Sequence, residues 1–277
     1  MVKKKALVLG AGPMGLWMAR HLAKRGYHVT VYDKDRKKLR NLEGGRISAA
    51  KNLTEALNNS ALIVLAIGSS NTVDLLPRLI SKTDGKTFLD ISSVKTPIAK
   101  ALARSKIKNN VVALVHPLFG PGAKKLNDKY VVLTPFRRPA AEYRVCREIF
   151  HPCTILRMSV TRHDWVMASA MALPRLLMLT LLNGWRMEKV KPLTVSQRAL
   201  LVAAAPILSE SPTLFREIIE KNPYTRQTLS KTIKTLNRMR KNPSTASSIF
   251  KRFRRRIGFE SYFKIYKLLE DAASNSR

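Results

Sequence analysis

The chain has 277 residues, and 51 Lys and Arg residues against 18 Asp and Glu residues give it a formal net charge of +33. Its hydrophobic share of 45% and charged share of 25% are those of a globular protein, which excludes a disordered chain. Two cysteines, Cys146 and Cys153, suit neither a disulfide framework nor a zinc site. We therefore expect a reducing, cytoplasmic compartment.

Short apolar runs alternate with amphipathic stretches in the first half of the chain. The runs predict strands at Ala6–Leu9, Val29–Tyr32, Ala61–Ile67, Thr87–Ile91, Val111–Val115, Tyr130–Leu133 and Thr154–Leu156. The stretches predict helices at Pro13–Lys24, Lys34–Leu42, Thr54–Asn58, Thr72–Ile80 and Thr96–Ala103, and one that starts near Pro139. Alternating strands and helices form βαβ units, so we predict an α/β fold with a Rossmann-type, doubly wound, mainly parallel sheet.

After about Ser159 the pattern changes to long helices. They are separated by Asn183-Gly184, Lys191-Pro192, Ser211-Pro212, Asn222-Pro223 and Asn242-Pro243. We therefore predict a Rossmann-like domain at 1–160 and an all-helical domain at 161–277. The apolar stretch Val166–Leu182 is interrupted by Pro174 and Arg175, so we expect it to fall short of a membrane span and predict no membrane partner.

A glycine-rich turn follows the first predicted strand. Its residues read GAGPMG, a complete G-x-G-x-x-G motif that opens a predicted helix. Gly10 permits the tight turn, Gly12 lets the backbone approach a pyrophosphate, and Gly15 lets the helix pack closely on the strand. Pro13 and Met14 begin that helix, whose N-terminal N–H groups favour an anion. The motif predicts dinucleotide binding.

Asp33 ends the second predicted strand, 21 residues after Gly12, where such folds place the acid that binds the adenosine ribose. A carboxylate there accepts hydrogen bonds from the ribose hydroxyls and repels a 2′-phosphate, which predicts NAD. The basic residues of 34–38 offset part of that repulsion, so use of NADP stays open. Asp33 also has a second interpretation, as the N-cap of the following helix.

Two polar stretches follow the ends of neighbouring predicted strands, namely DISSVK at 90–95 and HPLFGP at 116–121. Carboxyl ends of strands line the ligand crevice of a doubly wound sheet, so we expect Ser93 and His116 to face a bound nicotinamide, with Ser92 in the cofactor site. Histidine titrates near neutrality and suits the acceptance of a proton as a hydride leaves a carbinol carbon. The alternative is that His116 only ends its strand before Pro117.

GAGPMG, DISSVK, HPLFGP and then HDWVMA at 163–168 together resemble the landmarks of the prephenate dehydrogenase family. The resemblance runs from Gly10 to about Tyr224. It includes SQRAL at 196–200 ahead of SPTLF at 211–215, as an arginine precedes a D-P-x-L-[YW] stretch in the family. It implies NAD-dependent oxidative decarboxylation of prephenate to 4-hydroxyphenylpyruvate on the route to tyrosine.

The resemblance also implies residue roles and a homodimer formed through the helical domain. His116 would accept the proton of the ring hydroxyl, and Ser93 would orient hydroxyl and imidazole. Arg198 would hold a carboxylate of the small anionic substrate, for which a planar guanidinium is suited. His163 would lie at the domain interface, either in the substrate site or as a packing residue.

Three departures from the family lie where the substrate side chain is expected. The family's Q-A-L-x-H stretch is MALPR at 171–175, so the glutamine is Met171 and the histidine is Arg175. The aromatic residue before the substrate arginine is Gln197. Arg175 would supply a second guanidinium for dianionic prephenate, or it is a surface residue after a kink at Pro174. The choice between prephenate, arogenate and a related substrate therefore stays open.

Basic charge is most concentrated near the C-terminus, where residues 221–277 contain 15 basic and 3 acidic residues. Such a segment attracts polyanions, so a Rossmann-based nucleic-acid-binding or regulatory protein is the hypothesis from another class. No nucleic-acid motif accompanies the charge, and we expect binding that is nonspecific at most. The aromatic residues Tyr262, Phe263 and Tyr266 favour one face of a terminal helix over a platform for base stacking.

Overall fold

A computed structural model describes residues 4–184 except Asn41 and Glu43, residues 194–254, and Lys264, Tyr266–Leu268 and Asp271. The chain divides into two compact units, Met1–Met167 with Lys221–Pro223 and Ala168–Glu220 with Tyr224–Arg277. The Lys191-Pro192 break and the aromatic residues Tyr262 and Phe263 lie outside the described residues.

The described part of the first unit forms an eight-stranded sheet. Its strands are β1 (Lys5–Leu9), β2 (His28–Tyr32), β3 (Ile47–Ala49), β4 (Leu62–Leu65), β5 (Thr87–Asp90), β6 (Val111–Pro117), β7 (Tyr130–Thr134) and β8 (Thr154–Arg157). They are ordered β3-β2-β1-β4-β5-β6-β7-β8, and the β6–β7 pair alone is antiparallel among them. The predicted Rossmann-type, mainly parallel sheet is confirmed.

Six helices accompany the strands of this unit within the described residues. They are α1 (Pro13–Lys24), α2 (Leu53–Asn58), α3 (Ser69–Ser81), α4 (Thr96–Ala103), α5 (Pro139–Phe150) and α6 (Val160–Met167). Helix α6 belongs to the first unit because it is hydrogen-bonded to the start of α4, so this unit extends to Met167 and not to residue 160.

The predicted helix Lys34–Leu42 is wrong. Only a 3₁₀ turn, Arg36–Leu39, forms there, and the short edge strand β3 follows it. The Asp35 side chain accepts a hydrogen bond from the Lys37 N–H and caps the turn, so the capping role considered for Asp33 falls to Asp35. Strand β3 pairs with β2. It has only three residues, and so short a segment shows no apolar periodicity in the sequence.

Both faces of the sheet are covered. Ala6 and Val8 of β1 lie in one apolar cluster with Trp17 of α1, while Leu7 and Leu9 of the same strand lie in a second cluster. Because alternate residues of a strand point to opposite faces, a sheet buried on both sides needs continuous apolar runs. This is why the strands were visible as unbroken apolar segments in the sequence.

The described part of the second unit is helical, as predicted. Its α-helices are α7 (Leu173–Gly184), α8 (Val195–Leu208), α9 (Pro212–Arg216), α10 (Thr225–Lys241) and α11 (Ser244–Arg254). π-Helical turns at Ala168–Ala172 and Glu217–Lys221 precede α7 and follow α9.

Pro174 does not interrupt the apolar helix, contrary to the prediction. The helix is continuous over Val160–Gly184, because the π-helical turn before Pro174 widens the backbone where a regular α-helix would clash with the ring. Its 25 residues pass the test of length and composition for a membrane span, as the core helices of soluble proteins also do.

Candidate active site

The glycine-rich loop joins β1 to α1 in the first unit. Gly10 has a φ of +103°, and a Cβ there would lie 2.4 Å from the carbonyl oxygen of Ala66. A Cβ on Gly15 would lie 1.9 Å from the carbonyl oxygen of Gly10, so α1 packs directly on the turn. These two positions require glycine, for the reasons that the motif predicted.

The loop has the features of a pyrophosphate cradle. Gly12 is the N-cap of α1, and a Cβ on it would meet nothing within 4 Å, so open space lies beside the backbone there. Pro13 is the first helical residue, and the first turn holds no acidic side chain. The N–H groups of Met14 and Gly15, in the first turn, have no partner within the helix. Helix geometry and loop therefore fit a bound dinucleotide phosphate.

Asp33 follows β2, the strand beside β1, and its carboxylate lies next to this loop. Its Oδ2 accepts a hydrogen bond from Ala11 N at 2.8 Å, and its Oδ1 accepts one from Asp35 N at 2.9 Å. Arg36, three residues after Asp33, donates to the carbonyl oxygens of Ala50 and Lys51. The Asp33 carboxylate thus lies beside the loop, while this arginine is engaged elsewhere.

A buried ion pair closes the carboxyl end of β5. Nζ of Lys95 lies 2.5 Å from Oδ2 of Asp90, and both side chains are 0% exposed. Lys95 Nζ also donates to the carbonyl oxygen of Val115 in β6, and Ser92 Oγ donates to Oδ1 of Asp90 at 2.5 Å. The pair therefore ties β5, the following turn and β6 together. The hydroxyl proton of Ser92 is used inside this cluster, so its predicted cofactor contact stays a prediction.

His116 lies past the end of β5. Strand β6 pairs with β5 as far as Leu114 and continues to Pro117. His116 is 4% exposed, and its Nδ1 lies 2.9 Å from Nε2 of His163 in α6. Ser93, on the turn after β5, is half-buried and makes no side-chain hydrogen bond within the described part of the chain.

His163 is fully buried, and the ring nitrogen that faces away from His116 is hydrogen-bonded to the next residue, Asp164. Its Nδ1 lies 2.7 Å from Oδ1 of Asp164, and both side chains are 0% exposed. Burial lowers the pKa of His163 below its usual value, although the hydrogen bond to Asp164 opposes this shift. His163 is therefore neutral at neutral pH, and both of its ring nitrogens are engaged within the unit. Neither is left for the substrate contact that the sequence suggested.

Asp164 is anchored by backbone groups of α4. Its Oδ1 accepts from Lys95 N at 2.9 Å and its Oδ2 accepts from Thr96 N at 2.7 Å. Its own carbonyl oxygen accepts from Nδ2 of Asn222, at 2.7 Å. Burial opposes ionisation, but the hydrogen bonds from His163, Thr96 and Lys95 outweigh it and hold the pKa of Asp164 below its usual value. Asp164 is thus an ionised, oriented carboxylate.

The dinucleotide loop and His116 lie on the same edge of the sheet. In the order β1-β4-β5-β6, three strand spacings separate the ends of β1 and β6, which corresponds to about 14 Å. Strand order reverses at β1 and β4, where doubly wound sheets open a crevice for ligands. The glycine-rich loop and Asp33 therefore lie on the β1 side of this crevice, and the ends of β5 and β6 lie on the other side.

Arg198 lies in the first turn of α8, in the second unit, and is partly exposed. It makes no side-chain ion pair among the residues that the structure describes. Gln197 forms a capping box with Thr194, in which each side chain bonds the backbone N–H of the other. This gives Gln197, one of the departures from the family pattern, a structural use at the helix start.

Arg175 is not a surface residue. It is 9% exposed, and its guanidinium forms a two-point ion pair with Glu210, with Nε donating to Oε2 at 3.0 Å. Its Nη1 also donates to the carbonyl oxygen of Met171. The positive charge of Arg175 is therefore matched by a carboxylate within the second unit.

Comparison with known proteins gives the same picture of the fold. Residues 5–135 match the family of the NAD binding domain of 6-phosphogluconate dehydrogenase. The curated "Probable arogenate/prephenate dehydrogenase" of Methanocaldococcus jannaschii is 24% identical over 230 residues, 79% of this chain and 49% of that protein. The chain thus spans about half the length of this relative.

Solved structures extend the likeness to the whole chain. Prephenate dehydrogenase from Aquifex aeolicus has a TM-score of 0.72 at 17% identity and covers 91% of this chain and 98% of its own. The same enzyme in complex with hydroxyphenyl propionate and NAD+ has a TM-score of 0.69 at 17% identity and covers 98% of this chain and 99% of its own.

The chain resembles prephenate and arogenate dehydrogenases. Its first unit contains an NAD-binding domain, which confirms the predicted cofactor. Sequence reasoning nevertheless missed part of this dehydrogenase-like site, namely Asp90, Lys95, Asp164 and Asn222. Two signals were available. Asp90 and Lys95 are charged residues that flank an otherwise uncharged turn after a buried strand, and Asp164 directly follows His163.

Proposed function

We propose that this chain is an NAD-dependent dehydrogenase that converts prephenate to 4-hydroxyphenylpyruvate with loss of carbon dioxide. One arrangement carries the proposal. His116 lies at the strand edge that the dinucleotide loop also occupies, with its Nδ1 beside the buried His163–Asp164 pair. A histidine so held is suited to exchange a proton with a substrate hydroxyl beside a nicotinamide. The likeness to prephenate and arogenate dehydrogenases supports prephenate as the substrate.

The residues of the chain bind, orient and move a proton in this reaction. NAD, held by the Gly10–Gly15 loop and Asp33, would supply the acceptor for the hydride of the ring carbinol carbon. Nε2 of His116 accepts the hydroxyl proton as the carbon–oxygen double bond forms. The bond to the ring carboxylate then breaks, its electron pair enters the ring, and carbon dioxide leaves. His116 returns its proton to the oxygen, which becomes the phenol of the product. Ser93 orients the hydroxyl, and Arg198 holds a carboxylate by a charge-assisted hydrogen bond.

Turnover of prephenate by the purified chain tests this function. We expect NADH and 4-hydroxyphenylpyruvate to form in equal amounts, with one carbon dioxide for each. Because Asp33 places a carboxylate at the ribose 2′ position, kcat/KM with NAD should exceed that with NADP. A folded protein that binds NAD and forms no product from prephenate would contradict the substrate assignment.

The Arg175–Glu210 pair favours a second candidate substrate, arogenate. Arogenate carries an ammonium and a carboxylate where prephenate has a keto acid, and the ion pair offers one group of each sign. Prephenate has a keto group in place of that ammonium, so it would gain nothing from the carboxylate of Glu210.

The ratio of kcat/KM for the two substrates decides between them, and an E210Q variant shows the source of the preference. If arogenate is the substrate, E210Q lowers kcat/KM for arogenate and raises it for prephenate. Glu220, another acid of the second unit, supplies the matched control E220Q. An unchanged ratio in E210Q would remove the pair from substrate selection.

We also propose that the second unit forms a homodimer. It leaves large apolar side chains exposed, among them Leu181 at 52%, Leu208 at 58%, Leu236 at 51% and Phe250 at 63%. Isolated exposed apolar residues are ordinary, but such a number in a small helical unit favours a partner surface. Light scattering during gel filtration measures the mass. A monomer at all concentrations would contradict the proposal.

A further inference from the structure

His116, His163 and Asp164 form a buried row in which each side chain lies within hydrogen-bond distance of the next. The charge of Asp164 determines which nitrogen of each histidine carries the proton. An ionised carboxylate has no proton and can only accept hydrogen bonds. Oδ1 of Asp164 lies 2.7 Å from Nδ1 of His163, so that nitrogen carries the proton. Because His163 is neutral in its buried position, its Nε2 then has a lone pair and accepts.

The lone pair on Nε2 of His163 fixes the position of the proton on the next ring. Nε2 of His163 lies 2.9 Å from Nδ1 of His116, and two lone pairs cannot face each other at that distance. Nδ1 of His116 therefore donates, and in the neutral ring its Nε2 is the nitrogen without a proton. The Asp164 carboxylate therefore determines the tautomer of His116 through His163, without touching His116 itself.

We propose that Asp164 and His163 are positioning residues that set the tautomer of His116, so that its Nε2 is the proton acceptor. This inference deepens the proposed function and rests on it for the role of His116. The surroundings suit the task, since Asp164 is held by the N–H groups of Lys95 and Thr96 and through its carbonyl by Asn222. Because three hydrogen bonds hold Asp164 in place, the row Asp164–His163–His116 selects one ring orientation and one tautomer of His116.

Nitrogen-15 NMR of the histidine-labelled protein with NAD reads the tautomers directly, without substrate. The chain has five histidines, and the H116N and H163Q variants assign two of them. We expect the Nδ1–H tautomer for both His116 and His163. If His116 carries its proton on Nε2, the proposal is wrong. Because no substrate is present, the expected tautomers together with a lack of prephenate turnover would reject the substrate and leave the relay standing.

The D164N variant should reverse the donor and acceptor in both hydrogen bonds of the row. Its amide oxygen at the Oδ2 position can keep the hydrogen bonds from Thr96 N, at 2.7 Å, and from Lys95 N, at 3.3 Å. Its NH₂ group then takes the Oδ1 position and donates to Nδ1 of His163. His163 must then carry its proton on Nε2 and donate to His116, which moves the proton of His116 to Nε2. We expect both tautomers to change and kcat to fall by about 10³- to 10⁴-fold, with KM and the Kd for NAD unchanged. A merely structural role would not change the tautomers of a folded variant.

A pair of variants at His163 completes the test. The H163Q side chain offers an amide oxygen near the position of Nε2 and can accept from Nδ1 of His116, whereas H163L offers no acceptor. We expect H163Q to exceed H163L in kcat by about tenfold or more, because hydrogen-bonded orientation of the base is restored. Equal kcat values in two folded variants would overturn the relay. If D164N or H163L fails to fold, the NMR measurement on the unmodified chain still decides.

Discussion

Charge is used in two different ways in the two units. In the first unit, Asp90, Lys95, His163 and Asp164 are all 0% exposed, and each has a partner at hydrogen-bond distance. In the second unit, the basic residues of α10 are exposed, among them Lys231, Lys234, Arg238 and Lys241.

The difference teaches where to look for function in a chain with a charge of +33. Exposed charges are screened by salt beyond about 8–10 Å and act as a diffuse field. Buried charges are few, but each is fixed in direction by its partners, and removal of one partner leaves the other charge buried without compensation. The proposed chemistry therefore depends on a handful of buried groups, while the many exposed ones form a background that attracts anions.

The largest effect is expected at His116. An H116N variant keeps a polar side chain but has no group that titrates near neutrality, so kcat should fall by about 10³-fold while NAD binding is retained. H151N changes an exposed histidine of the same unit and serves as the matched control. Initial rates and NAD titration measure the two effects. Full activity in H116N would break the link between the buried row and the chemistry.

The next largest effect is on stability. A K95M variant fills the same volume but leaves Asp90 buried without its counter-charge, so we expect the free energy of unfolding to fall by about 3–5 kcal/mol. K100M changes an exposed lysine of the same helix and should stay within about 0.5 kcal/mol of the unmodified chain. Denaturant titration compares them. Equal losses of unfolding free energy in K95M and K100M would contradict the expected difference between buried and exposed charges.

An intermediate effect is expected at Arg198. R198Q removes the guanidinium proposed to hold a substrate carboxylate, so KM should rise about tenfold to a hundredfold. R216Q changes an exposed arginine of the same unit and should leave KM unchanged, because a diffuse field is insensitive to one charge. Steady-state kinetics separates the two variants. If both shift KM alike, the substrate is held by general charge and not by Arg198.

The smallest effect is a pH dependence of stability. Burial lowers the pKa of His163 in the folded chain, while in the unfolded chain it stays near 6.5. The unfolded state therefore binds the proton first, and stability is lost as pH falls below about 6.5, by up to about 1.4 kcal/mol per pH unit. The free energy of unfolding of H163Q should depend less on pH in this range, while that of H151Q should depend on pH as in the unmodified chain. Thermal unfolding at several pH values measures the difference.

The sequence by itself determined the parts of the protein that depend on local pattern. The motif GAGPMG placed the turn, the helix start and the glycines with contacts that exclude a Cβ. Continuous apolar runs predicted the strands, because a sheet covered on both faces buries every residue of a strand. His116 was found because a polar residue at the carboxyl end of such a run interrupts a pattern that is otherwise unbroken.

Only the tertiary structure decided which side chains meet. His116 and His163 are 47 residues apart, and Arg175 and Glu210 are 35 apart. Lys95 ends the polar stretch DISSVK, where a lysine is ordinarily solvated, yet it is fully buried between Asp90 and Val115. Burial of a charge depends on partners from other elements, and a local pattern carries no record of those partners. For that reason the cofactor loop was visible in the sequence, whereas the row that orients His116 was not.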